Sequence, residues 1–268
     1  FFYYIRQKQI IGIRKARYCI NAEMSLTKRT FDEIGKGFIK LAIPMVYNRE
    51  NIETAKPIAW SLYDAKRLDD CNFKIFSHAS QTWLWNRLFS KAEWDRRSKH
   101  NDWLIYGFST FLKEVKDDRA LLILIEYGND VNAAKKLCVD LGIDRYVMWL
   151  PKMPRKYIMY LLRHCDIGVG EFIKDNGAIW GGTGWEVLAS GKPLLQSMNF
   201  TNEEYQKTFG HEPPPILDAK SPEDITAQLI DMYRNRDKMR TIAKKSGEWF
   251  DKFNGIGLAK KWLELIAY

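Results

Sequence analysis

Apolar and polar positions change period several times along the chain, and these changes mark its elements. FKIFSHA (73–79) alternates with a period of two, whereas 101–116 carries Trp103, Leu104, Gly107, Phe108, Phe111 and Leu112 at helical spacing. ALLILIEYG (120–128) is a continuous apolar run, the pattern of a parallel strand covered on both faces. A helix over 130–141 ends at Gly142, YVMWL (146–150) is the next strand and 154–164 the next helix. DIGVGEF (166–172), 184–190 and PLLQS (193–197) repeat strand, helix, strand. This alternation predicts the α/β class, a doubly wound Rossmann-like parallel sheet with right-handed crossovers. Ser221 stands three residues before Asp224, with Pro222 at the first helical position, and opens the first of the helices that close the chain.

Ahead of this rhythm, RYCINA (17–22) reads as a short strand and 25–35 as a helix ended by Gly35 and Gly37. FIKLAIPMV (38–46) is apolar, and the mixed stretch 47–71 reads as a linker or connecting helix. The start, FFYYIRQKQIIGIRKARY, lacks an initiator methionine and opens as if inside a helix. Its aromatics and cations suit a membrane interface, or an amphipathic helix whose upstream partner is missing.

A chain of 268 residues with 46% hydrophobic content and no low-complexity tract is long and apolar enough for packed domains. A formal charge of +9 favours anionic partners: phosphorylated ligands, nucleic acid or an acidic membrane surface. Charge is the only support for nucleic acid, since no recognised module is present, so none is expected. Cys19, Cys71, Cys138 and Cys165 are widely spaced with no CxxC pair or nearby histidine cluster. Neither a metal site nor a disulfide framework is expected, and reduced thiols of a cytoplasmic protein are. No stretch approaches a membrane span, and there is no signal-peptide pattern.

The candidate chemistry lies in AIWGGTGWEVLASGKPLL (178–195). Gly181, Gly182, Thr183 and Gly184 stand where a strand empties into a helix, and ligands of doubly wound sheets bind beyond the carboxyl ends of the strands. Main-chain N–H groups at such a turn, with the positive end of the helix, suit a diphosphate. Glu186, a turn inside, would repel that anion but could accept hydrogen bonds from ribose hydroxyls. The bland alternative is a tight turn that packs a helix on the sheet. Neither GxGxxG nor GxxxxGK[ST] occurs, which argues against dehydrogenases and P-loop enzymes.

GGTGWEVLASGKPLL resembles the donor-binding signature of family 4 glycosyltransferases of the GT-B fold, an E-G-F-G-type turn leading to a glutamate, a small-residue helix and Gly-x-Pro. Other pieces occur in the order of that family. RYCINAEMSLTKRTFDEIG is similar to the segment ending its N-terminal domain, and IPMVYNRENI to its crossover. SKHNDWLIYGFSTFLKE resembles its KG-x-D-x-LI element, LLILIEYGND its strand ending in G-x-G, and LGIDRYVMWLPKMPRKYIMYLLRHCDIGV the strand–helix–strand that follows.

The resemblance implies a division into residues 1–45, the remnant of an N-terminal acceptor domain, a linker over 46–72, and a nucleotide-sugar-binding domain over 73–268. It implies that the backbone of Gly181, Gly182 and Thr183 meets the donor diphosphate, that Glu186 holds the ribose and that Lys99 neutralises the diphosphate. Trp149, Leu150 and Pro151 would line the nucleobase. The family's first carboxylate falls on Ala178, and Glu171, in an acid-x-Phe-like element, would take its sugar-contacting, catalytic role. Its arginine after the first strand has no match in SHASQ, which offers His78, Ser80 and Gln81; Arg96 or Arg97 would substitute. His78 is a rim histidine or a ligand contact, PRK (154–156) a solvated helix start, and Trp83, Trp85, Trp94 and Trp103 core or interface. His100 replaces the glycine after Lys99. The implied activity is retaining transfer of a sugar from a UDP- or GDP-linked donor to a glycan or lipid-linked acceptor, with no metal and no cofactor beyond the donor, at the cytoplasmic face of a membrane or free of it. Because only part of the acceptor domain is present, the chain is expected to be a fragment. The alternative is a non-catalytic GT-B-like subunit or scaffold.

Overall fold

A computed structural model describes residues 2–21, 25–41, 62–174 and 181–267. The segment 42–61, which holds IPMVYNRENI, and Ala178 lie outside the described residues. The chain forms two compact units, Phe1–Val46 with Lys252–Tyr268, and Tyr47–Asp251.

In the first unit, helix α1 (Phe2–Lys15) leads to strand β1 (Ile20–Asn21), helix α2 (Ser25–Ile34) and strand β2 (Ile39–Lys40). The two strands pair in parallel, with Ile20 opposite Ile39. Gly35 ends α2 in the left-handed region at φ +68°, a conformation that a side chain disfavours.

Helix α3 (Leu62–Asp70) opens the described part of the second unit and precedes strand β3 (Phe73–Ser77). Helices α4 (Lys91–Arg97) and α5 (Asn101–Val115) then lead to β4 (Ala120–Ile125), and α6 (Val131–Asp140) to β5 (Val147–Leu150). Helix α7 (Arg155–His164) returns the chain to β6 (Ile167–Val169). After it come α8 (Gly182–Ala189), β7 (Leu194–Gln196), α9 (Asn202–Phe209) and β8 (Ile216–Asp218). Helices α10 (Pro222–Arg234) and α11 (Arg236–Phe253) follow, and α12 (Ile256–Ile266) belongs to the first unit.

All strands of the larger sheet are parallel, in the order β5-β4-β3-β6-β7-β8. Every residue of β4 is buried, as its unbroken apolar run requires when both faces are covered. Helix α5 lays Leu104, Ile105, Phe108, Phe111 and Leu112 into the core, where they meet Phe73, Ile75 and Leu122 of the sheet. Gly107 lets α10 approach: a Cβ there would fall 2.6 Å from Ile225 Cγ2 and 2.9 Å from the Pro222 carbonyl oxygen.

Four of the described elements have no counterpart in the sequence reading: β2, which falls in a stretch read only as apolar, α4, α9 and β8. Helix α9 was signalled, because Thr201 and Glu204 form a capping box: Thr201 Oγ1 accepts from the Glu204 N–H at 3.1 Å and Glu204 Oε2 from the Thr201 N–H at 2.8 Å. The remaining differences are strand ends, since polar residues such as His78 and Glu171 continue past the last ladder bond into loops.

Candidate functional site

Chain order reverses between β3 and β6, and in doubly wound sheets the loops leaving two such neighbouring strands diverge to leave the crevice in which ligands bind. His78 and Ser80 follow β3, Gly170 and Glu171 follow β6, and Gly181 caps α8 just beyond. The six-residue stretch 175–180, which includes Ala178, lies outside the description.

Glu186 is buried (5% exposed) in α8, and both of its oxygens are engaged. His78 Nε2 lies 2.6 Å from Oε2, and Arg155 Nε, from the first turn of α7, lies 2.6 Å from Oε1. An ionised carboxylate only accepts, so the His78 Nε2 carries the proton. Burial pushes the Glu186 carboxyl up, but the hydrogen bond and charge of His78, then those of Arg155, outweigh it and hold the group below the ordinary glutamate value. Each carboxylate oxygen keeps a second lone pair, so Glu186 can still accept from a ligand hydroxyl. Among the described residues, two buried atoms near this group have no hydrogen-bond partner: His78 Nδ1 and Thr183 Oγ1 in the first turn of α8.

On the other side of the crevice, Lys99 Nζ lies 2.6 Å from Glu171 Oε1 and donates to Ser80 Oγ at 3.0 Å. The backbone ties these loops together. The Lys99 N–H donates to the Thr82 carbonyl at 3.2 Å, and the Phe172 N–H to the Lys99 carbonyl at 3.2 Å. A Cβ on Gly181 would fall 2.9 Å from Glu171 Oε1, so a side chain there would push this carboxylate away from the backbone that caps α8. Glu171 is thus an anion held between an ammonium and a helix N-terminus, where a bound phosphate would gain the same two interactions. His100, directly after Lys99, sits in the left-handed region at φ +45° and ψ +43°, as the N-cap of α5. Its ring stacks on Trp103 at 4.2 Å and its Nε2 contacts the Asp95 carbonyl at 2.7 Å, contacts that offset the backbone cost.

The loop after β3 is braced by the loop after β4. The Gln81 N–H donates to the Tyr127 carbonyl at 2.7 Å, and the Gln81 carbonyl accepts from Asp130 N–H at 3.1 Å. Gly128 makes this approach possible, at φ +112° and with the Gln81 backbone where a Cβ would stand. Gly128→Ala is therefore expected to cost about 2–3 kcal/mol, from backbone strain and a clash that no side chain can relieve. Chemical denaturation checks this, and the same variant should weaken any ligand held by Ser80 and Lys99.

Sequence reasoning named His78, Ser80, Lys99, Glu171, Gly181, Gly182, Thr183 and Glu186, and the structure gathers all of them at this end of the sheet. Trp149 and Leu150 lie on β5, at the same edge but two strands from β3, with Lys135 Nζ 5.5 Å from the centre of the Trp149 ring. Arg97 is not brought to the cluster: it turns to Glu93 at 3.6 Å and to the face of Phe89 at 5.5 Å. Arg155, which the sequence places in a solvated helix start, joins the cluster. Its side chain is largely exposed, yet its Nε reaches Glu186, and only the return of α7 across the sheet makes that pairing. Burial pushes the Cys138 and Cys165 thiols up to about 12, which leaves them without thiolate chemistry near neutral pH. Among the described residues no group of His, Cys, Asp and Glu could hold a metal ion, and no helix is long and apolar enough to cross a membrane.

No protein-family model matches the chain, and no curated protein matches it in sequence. Solved structures do. Anabaena Alr3699/HepE, in complex with UDP, is similar at a TM-score of 0.60 and 13% identity, over 96% of this chain and 65% of that one. The pneumococcal O-GlcNAc transferase GtfA, with UDP and GlcNAc, is similar at 0.60 and 12%, over 97% of this chain and 46% of that one. A glycosyltransferase from Rickettsia africae ESF-5 is similar at 0.61 and 12%, over 92% and 62%. The chain thus has the fold of GT-B glycosyltransferases, with its six-stranded parallel sheet and flanking helices, and spans less than two thirds of the length of these relatives.

Proposed function

We propose that the chain binds a nucleotide-linked sugar and is the donor half of a glycosyltransferase. The observation that carries this reading is the juxtaposition, across one crevice, of the Lys99 ammonium, the glycine-capped start of α8 and the buried, ionised Glu186. A nucleoside diphosphate offers a matching set of groups: phosphates for Lys99 and the helix start, and ribose hydroxyls for the remaining lone pairs of Glu186. His78 Nδ1 and Thr183 Oγ1 would gain partners in the same event. The UDP held by HepE and by GtfA, proteins of the same fold, supports a uridine donor over a guanosine one.

In transfer, the bond between the anomeric carbon and the phosphate oxygen breaks, and its electron pair leaves with the diphosphate. The acceptor hydroxyl oxygen forms the new bond, and its proton passes to a phosphate oxygen. Lys99 stabilises the charge that grows on the leaving group, and Ser80 orients its ammonium. Glu171, in contact with Lys99, would face the sugar and lend its charge to the developing oxocarbenium ion; with no second carboxylate at Ala178, transfer with retention rests on it. The acceptor, a glycan or lipid-linked sugar, would be gripped by an N-terminal domain, and work at the cytoplasmic face of a membrane fits such an acceptor.

Titration calorimetry of this chain with UDP and with a panel of UDP- and GDP-sugars tests the reading. Binding to UDP that is weakened in Lys99→Ala and in Glu186→Ala is expected; a folded chain that binds none of them would overturn it.

A further inference from the structure

Residues 82–90, between β3 and α4, turn apolar side chains outward. Leu84 and Trp85 are about half exposed and Leu88 is 86% exposed. Apolar groups left in water forgo the main favourable term of folding, so a loop free to rearrange would tuck them in. This loop is pinned instead. Asp130 Oδ2 accepts from the N–H groups of Trp83 at 2.7 Å and Leu84 at 2.9 Å, and Asn86 Oδ1 accepts from that of Leu88 at 3.0 Å. Trp85 Nε1 donates to the Phe89 carbonyl at 3.1 Å and Trp94 Nε1 to that of Trp83 at 3.3 Å, while Ser90 caps α4.

The rim of the patch is net cationic. Its three carboxylates are engaged, Glu93 with Arg97 at 3.6 Å, Asp95 with Lys174 at 3.0 Å and Asp130 with the N–H groups of the loop itself. Among the described residues, the exposed Arg87, Lys91 and Arg96 have no carboxylate partner, and the Lys91 ammonium stands 5.5 Å from the centre of the Trp85 ring.

We propose that this loop docks the protein on an anionic lipid bilayer. Leu84, Trp85 and Leu88 enter the interface, Trp85 at the headgroup level that its ring prefers, and Arg87, Lys91 and Arg96 meet lipid phosphates. A second copy of the chain is a poorer occupant, because a two-fold contact would set like-charged rims against each other. The docking stands apart from the donor reading. If both hold, they combine: the loop runs from Ser80 to Lys99, so the crevice opens beside the bilayer and is placed to take a sugar acceptor anchored in it.

The test is flotation of the chain with vesicles of phosphatidylcholine alone or mixed with phosphatidylglycerol. The chain is expected to float with the anionic vesicles only. Leu84→Ser, Trp85→Ser and Leu88→Ser together should lower that partition at least tenfold, and reversal of Arg87, Lys91 and Arg96 to Glu should lower it by about fivefold per residue. A dye on Leu88→Cys, in a Cys71→Ser background that leaves only buried thiols, should shift to the blue with anionic vesicles. The same dye on Val139→Cys, an exposed site of α6, should not. Failure of the chain to float, equal flotation of the triple serine variant (the outcome if α1 were the anchor), or a sedimenting dimer that the triple variant dissolves would each overturn the proposal. A denaturation midpoint of the triple variant unchanged from the parent separates loss of docking from loss of structure.

Discussion

Lys99→Ala, in a chain that carries the acceptor-binding domain proposed above, is expected to lower kcat by about two to three orders of magnitude, the effect of removing one preorganised donor from a developing oxyanion. The reason is positional. The Lys99 side chain is mostly buried, its backbone is tied to Thr82 and Phe172, and Ser80 fixes its ammonium, so neither water nor a neighbouring lysine can replace it. Stability should change little, because the pair with Glu171 is part-exposed and such pairs contribute about 1 kcal/mol or less. Single-turnover rates at saturating donor give the measurement. A kcat within threefold of the parent would mean that Lys99 does not meet the leaving group.

Glu171 makes the same prediction sharper, because its carboxylate lies where the proposed reading puts the diphosphate. To bind there, a donor would have to take Lys99 and the start of α8 away from Glu171, which would then become available to the sugar. Glu171→Gln removes the charge that competes for Lys99 while preserving shape. UDP should therefore bind several-fold tighter to this variant, while sugar transfer falls because the carboxylate that would face the sugar is gone. Tighter nucleotide binding with slower transfer cannot come from a merely structural defect. Combined with Lys99→Ala, the gain in affinity should vanish, since there is no longer an ammonium to release.

Much of this was legible in the sequence because the signals are local. The apolar run of β4 and the spacing of Phe108, Phe111 and Leu112 follow from one face, or two, being covered. The capping turn at Gly181 and the position of Glu186 one turn inside α8 are also local, as is Ser221 capping α10. What was not legible is pairing between distant elements. That Arg155 and His78 both reach Glu186 depends on α7 and β3 meeting α8, and no spacing in the chain records it. Gly128 is similar: its sequence shows a strand end, whereas its need for glycine comes from the Gln81 backbone forty-seven residues earlier. His100 is the converse case. A histidine where a glycine is usual looks like a departure, yet the backbone keeps the glycine-like geometry at φ +45° and fills the space with a stack on Trp103. Arg97 illustrates a false inference from proximity in sequence, because helix α4 points it to Glu93 and Phe89.

Glu186→Gln should separate the structural role of this carboxylate from the ribose-binding role proposed for it. As a ligand group, the amide keeps one acceptor oxygen but loses the charge that strengthens hydrogen bonds from ribose hydroxyls, so affinity for UDP should fall by about two orders of magnitude. As a structural group, it leaves His78 facing a neutral amide in a buried site, at a cost of about 3 kcal/mol. Arg155 adds less than about 1 kcal/mol, since most of its side chain is in water. The dependence on pH gives the sign. The Glu186 carboxyl is held below its ordinary value of 4.5 in the folded chain, so its contribution is complete above that value and is lost as pH falls through the lower folded one. The stability gap between parent and variant should therefore be widest near neutral pH and should close in acid. Denaturation midpoints at pH 7 and across the range below 4.5 measure it. A gap that stays constant with pH would mean that the buried carboxylate is not what holds His78 and Arg155 together, and would remove the physical basis for reading Glu186 as a preorganised ribose acceptor.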